Sequence, residues 1–303
     1  MPIPSYAPAY TPPAYEVSFP VMWLSRGSVE QYLTFPNGWV LLPGMTGLDT
    51  PTPALVEVEP ATWDGSLVLD ARYTAREVFL PLHYMADTTA DVRDAVKAIA
   101  VLTDPKRGDV RLHLQHTDGT QRHIDGRLSA QFGSPLEQLE AGRWRKIGLT
   151  LRCPDPFWSS NEQTLVFQLG DDEQTQFLSD EFLPVQLDES QVVGDTAILN
   201  DGDADSYPVL TLTGPCADVT VEVGQSLFTV PDGLDEGQTL QINTGRGVQS
   251  VLLDDDPAWG ALGPGAVLGP LEPGNNTVEV TLTGASSATT MTVTWTTRWL
   301  TAW

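Results

Sequence analysis

Cysteine is almost absent: Cys153 and Cys216 are the only two in 303 residues. No disulfide framework can therefore organise the chain, and two free, buried thiols are expected. Basic residues are scarce as well, with 16 Lys and Arg against 40 Asp and Glu and a net charge of −24. Duplex nucleic acid and anionic membrane surfaces both select for clustered cations, so neither is expected as a binding partner. No apolar run is long enough to span a bilayer. The first residues, MPIPSYAPAYTPPAYEVSFP, lack the basic and apolar blocks of a secretory signal, so folding in the cytoplasm of the producing cell is expected.

Signatures of chemistry are missing too. The chain contains no G-x-S-x-G, no P-loop, no G-x-G-x-x-G and no H-E-x-x-H. In so acidic a sequence a pair of carboxylates is no sign of a glycosidase. Residues Asn200 to Asp205 open like a calcium loop, but Ser206 and Leu212 stand where an EF-hand needs Gly and Glu. His113, His116 and His123 share one hairpin, yet no cysteine lies near them to complete four zinc ligands. No catalytic residue, metal or cofactor is expected.

What is present is β structure and a sharp break in charge. Residues 1–160 are nearly neutral at −4, whereas residues 161–303 carry 22 acidic groups and only Arg246 and Arg298, net −20. Such a break suggests two units with different surfaces. Residues 1–20, with six prolines, read as an extended arm, and 21–158 as the first domain. Residues 159–199 read as an acidic, irregular linker and 200–303 as a β-sandwich, because short alternating strands recur there between turn signals about every ten residues. The fold class is mainly β with one packed helix.

That helix begins at Thr88 or Thr89, carries Val92, Ala95, Val96, Ile99 and Leu102 on one face, and stops at Asp104-Pro105. Val96 and Ile99 are expected to be buried. A hairpin follows, Val110, Leu112 and Leu114 alternating with polar residues up to an Asp118-Gly119 turn. A two-residue turn would set His116 near His123, with His113 on the opposite face. A second short helical piece is expected at Leu136 to Ala141.

Taken in order, these segments resemble the distal tail (Dit, or minor tail) proteins of siphophages. The similarity runs through Pro43-Gly44-Met45-Thr46-Gly47, Asp64-Gly65, the strand with Arg72 and Arg76, the helix, the Asp118-Gly119 hairpin and Arg122 to Arg127. It continues through Pro154-Asp155-Pro156-Phe157-Trp158, Asn200-Asp201-Gly202, Tyr207-Pro208-Val209-Leu210, Gly237 to Ile242 and Leu271 to Asn276.

The resemblance implies a first domain that is β-barrel-like, with a helix and a protruding hairpin, and a galectin-like sandwich behind it. It also implies a hexameric ring at the distal end of the tail, in the tail-tip baseplate, with assembly in the host cytoplasm. Its partners would be copies of itself, the tail tube protein, the tail hub (tail-associated) protein, the tape measure protein and receptor-binding or side-fibre proteins. DNA would cross the ring without specific binding, and no membrane is involved. The interface candidates are Arg72, Arg76, Arg111, His113, Arg122, His123 and Arg127. The alternative is a carbohydrate-binding, lectin-like adhesion protein, which the absence of His and near absence of Arg after residue 160 argues against.

Overall fold

The computed structural model describes residues 20–34, 38–131, 142–169, 185–187 and 196–303. The expected arm, apart from Pro20, and the expected helix at 136–141 lie outside these residues, as does much of the linker.

The first half holds β1 (Val21–Arg26), β2 (Val29–Tyr32), β3 (Trp39–Leu41), β4 (Pro53–Val58), β5 (Leu67–Tyr73), β6 (Arg76–Met85), helix α1 (Thr89–Leu102), β7 (Val110–Gln115), β8 (Gln121–Leu128) and β9 (Trp144–Cys153). The second holds β10 (Trp158–Leu169), β11 (Val185–Leu187), β12 (Thr196–Asn200), β13 (Val209–Thr213), β14 (Ala217–Val223), β15 (Ser226–Val230), β16 (Thr239–Asn243), β17 (Ser250–Leu253), β18 (Asp256–Pro257), β19 (Gly274–Thr283) and β20 (Thr290–Trp299). The protein is mainly β, as its alternating sequence requires.

Helix α1 forms where its periodicity places it. The Thr88 side chain accepts from the Asp91 N–H and caps the first turn. Val92, Ile99 and Leu102 are buried, whereas Val96 is only half-buried. Asp104 then caps a short 3-10 helix at Pro105–Arg107 and ends the helical run. The buried face of α1 meets a core built from the inward residues of β1, β3, β6, β7, β8 and β9, among them Leu24, Trp39, Leu80, Leu112 and Leu149. These strands hydrogen-bond in the antiparallel order β3-β6-β9-β8-β7-β1-β2.

In the second half two sheets face each other. One runs β18-β17-β16-β13-β20-β10 and the other β12-β19-β14-β15. Their inward residues, including Leu212, Val221, Phe228, Ile242, Val280 and Val293, form a separate core. This is the expected sandwich.

Three expectations change. Residues 159–169 are not an irregular linker: they form most of β10, which pairs with β20 from Trp158↔Trp299 to Gln168↔Thr290 and buries Phe167. The acidic composition of the whole segment hides a local alternation, Gln163-Leu165-Phe167 against Glu162-Thr164-Val166, that reads as a strand. The sandwich also begins before residue 200, since β12 pairs with β19 and buries Ile198. Further along, the turn between β7 and β8 spans 116–120 rather than two residues. That shift in register sets His123 opposite His113, while His116 stays in the turn.

Candidate assembly surfaces

The two cores meet at a junction built from arginines. Strand β20 starts in the sandwich core at Met291, Val293 and Trp295. It continues until Trp299 packs on the other core, where Ala302 is fully buried. Trp295 and Trp299 share one strand phase yet serve different cores. Strand pairing itself links the halves at Ser159↔His123, the point where β10 meets β8.

Arg76 adds a further link, through the Leu300 carbonyl, between loops of the first half and the end of β20. It is 3% exposed. Its guanidinium donates to the carbonyls of Pro156 (2.7 Å), Gly47 (2.8 Å), Asp49 and Leu300 (2.6 Å). A buried cation is tolerable only when its donors are satisfied, and here three chain segments, at 47–49, 156 and 300, converge to do so. Gly47 must be glycine, because it has φ +82° and a side chain there would strike the Glu77 carbonyl.

Arg298 completes the junction from the other side. Its Nη2 donates to both carboxylate oxygens of Asp155 (2.6 and 2.7 Å), its Nη1 donates to the Asp205 carbonyl, and the guanidinium lies over the Phe157 ring. The Pro154–Trp158 and Asn200–Tyr207 motifs, distant in sequence, thus meet at one side chain. The acids that resembled a calcium loop are used locally: Asp201 accepts from the Thr297 hydroxyl, and Asp203 from the Leu300 N–H. Arg246 and Arg298 share the Tyr207 ring, each 5.7 Å from its centre.

The other interface candidates fall into four environments. Arg111 and Asp125 form an exposed two-pronged pair at 2.7 and 2.8 Å, and Arg127 pairs with Asp109 at 2.5 Å. Arg122 donates to the carbonyls of Thr301 and Trp303 and lies over the Trp299 ring, so it binds the C-terminal residues of its own chain. His113 is stacked on Trp23 (4.6 Å, 1°) with Ser25 Oγ 2.7 Å from its Nε2, and His123 packs beside it. Burial, with help from the Arg111 charge, pushes both imidazoles down to about 4, so they are neutral at pH 7. Arg72, on β5, makes no ion pair among the described residues.

The 110–128 hairpin, which carries five of the interface candidates, is built into a sheet. Strand β7 pairs with β1, β8 pairs with β9 and β10, and Val110, Leu112, Leu114 and Ile124 are buried. The ribbon that stands apart is β4–β5, whose strands pair only with each other. Every β5 residue is exposed, as are Leu55, Val56 and Val58 on β4. A two-stranded ribbon with large apolar side chains in water is marginal alone and marks a surface awaiting a partner. Its sequence, Val56-Glu57-Val58-Glu59, alternates just as a half-buried strand would, so alternation alone did not reveal it.

Burial pushes the Cys153 thiol up to about 12, and Cys216 is also buried and free. Both thiols are inert structural groups, as expected.

Comparison with known proteins agrees with the sequence reading. Residues 201–299 match the family described as siphovirus-type tail component, C-terminal domain. The fold is similar to that of the phage SPP1 Dit protein, described as a paradigm of the hub adsorption apparatus in phages infecting Gram-positive bacteria. The TM-score is 0.60 at 16% identity, covering 92% of this chain and 99% of that one. A chain of the phage P2 baseplate, in its activated conformation with calcium, is also similar (TM-score 0.45, 10% identity, 91% and 98% covered). No curated protein matches significantly. Residues 201–299 thus match the tail-component domain, and the likeness of fold to the SPP1 Dit protein extends over 92% of the chain.

Proposed function

We propose that this chain is a structural component of a phage tail tip, six copies forming a ring that joins the tail tube to the hub. The observation that carries the reading is the Dit fold over 92% of the chain, together with the tail-component domain at 201–299. The distribution of charge and apolar surface supports it. The first half is nearly neutral and bears the unpartnered β4–β5 ribbon, so copies can approach through it. The second half, at −20, repels its counterparts and splays outward, which suits a platform for other tail proteins such as a receptor-binding protein or side fibre.

The tube and hub proteins dock on the two faces of such a ring, and DNA passes through it without being held. Its place is the distal end of the virion tail, after assembly in the host cytoplasm. The role is geometric and requires no catalysis.

The test is the mass of the purified full-length chain by native mass spectrometry across a concentration series, with negative-stain images of the product. A species of six chains appearing as closed rings is expected. A chain that stays at 32.9 kDa at every concentration overturns the ring.

A further inference from the structure

A groove of about 590 Å³ lies between the outer face of α1, the β1–β2 turn and the Pro105–Arg107 3-10 helix. Its apolar lining comes from Val29, Ala98 and Val101, and its charges from Arg26, Lys97 and Arg107. Asp94 is the one acid in the lining. In a chain carrying 40 acids, three cations around one concavity is a local reversal of sign.

Two of these cations have donors to spare. Arg26 uses Nε and Nη2 on the carbonyls of Asp109, Asp104 and Gly108, but its Nη1 is buried without a partner. Lys97 is exposed and makes no hydrogen bond or ion pair among the described residues. Lys97, exposed and unpaired among the described residues, is the cation open to an acid from another molecule, whereas the Arg26 Nη1 is enclosed by its own chain. The occupant that fits therefore offers carboxylates beside large apolar side chains.

The same molecule presents that combination. At the tip of the β4–β5 ribbon, Val58, Trp63 and Leu67 are 47%, 55% and 50% exposed. Glu59 and Asp64 stand among them, exposed and without a partner among the described residues. The six-residue strand β4 is long enough to carry this tip roughly 20 Å from its base. Ribbon tip and groove are different surfaces of one nearly neutral half, so their contact is head-to-tail, the type that closes into rings.

We infer that the β4–β5 tip of one copy docks in the α1 groove of the next. Trp63 and its apolar neighbours lie on Val29, Ala98 and Val101, and Glu59 and Asp64 face Lys97, Arg107 and Arg26. This contact names the surfaces of the proposed ring and rests on that reading.

Charge reversal with cross-mixing tests it in the full-length chain. One variant carries Lys97→Glu and Arg107→Glu; the other carries Glu59→Lys and Asp64→Lys. Each alone should raise the concentration needed for assembly about tenfold or more, because like charges then face each other. An equimolar mixture should regain wild-type assembly, because grooves and tips of the two variants match in alternation around a ring of even number. This recovery also shows that both variants are folded. Wild-type rings combined with variants that assemble unchanged, or with a mixture that does not recover, overturn the docking and leave the ring standing. A wild-type chain that never assembles overturns both.

Discussion

The two halves of this protein follow the same rule of strand construction and differ in what they do with charge. In both, buried residues alternate with exposed ones along antiparallel strands, as in β6 and β20. The first half spends its cations on surfaces and contacts: a groove, exposed pairs at Arg111 and Arg127, and the buried Arg76. The second half has two arginines, and both are held near Tyr207. Two β units built on the same strand rule thus differ in charge placement, near balance in residues 1–160 and a large acidic excess in 161–303.

Breaking the junction should have the largest effect on this comparison. Arg76→Ala leaves four part-buried carbonyls without their shared donor and opens the space the buried guanidinium fills. A loss of about 3 kcal/mol or more is expected. Scanning calorimetry should show one transition becoming two as the cores uncouple. A single transition at an unchanged midpoint would mean that the other junction contacts hold the halves together without Arg76.

Core substitutions should sharpen the contrast next. Ile99 and Val293 are each fully buried, one in each core. Ile99→Ala should cost about 2–4 kcal/mol and Val293→Ala somewhat less, in proportion to the atoms removed. In the uncoupled Arg76→Ala background each should lower only its own transition. Denaturant titration followed by tryptophan fluorescence and circular dichroism would detect a failure of this separation.

Acid should separate the halves more gently. All four histidines lie in the first half, and His113 and His123 are held neutral down to about pH 4. The unfolded chain takes up protons near pH 6.5 and the folded chain only near pH 4. Stability is therefore complete above 6.5 and falls as pH drops between these values. The loss should amount to at most roughly 3 kcal/mol per imidazole over that window, in the first half, and His123→Gln should reduce it. A second-half transition that moves as much as the first over pH 7 to 4 would contradict this assignment.

Much of the local structure was legible before any coordinates. Helix α1 was marked by a cap, a 3.6-residue period and a proline stop, all of them interactions within a few residues. The sandwich strands and turns were marked by alternation and by Gly, Asn and Asp, for the same reason. The β7–β8 register was not, because it depends on the turn length, and five residues rather than two reverse which histidines face each other. The ribbon was not either, because Leu55 to Glu59 alternates whether or not anything covers its apolar face.

By itself the sequence determined the β class, helix α1, the charge break between the halves and the likeness to distal tail proteins, since each is written in neighbouring residues or in their order. Only the tertiary structure decided the fate of the arginines. Arg76, read as an interface candidate, is buried because carbonyls from residues 47, 49, 156 and 300 come together around it. No local pattern encodes a convergence of segments so distant in sequence. A charged side chain becomes a surface contact or a buried clamp according to whether the folded chain supplies enough acceptors to replace water.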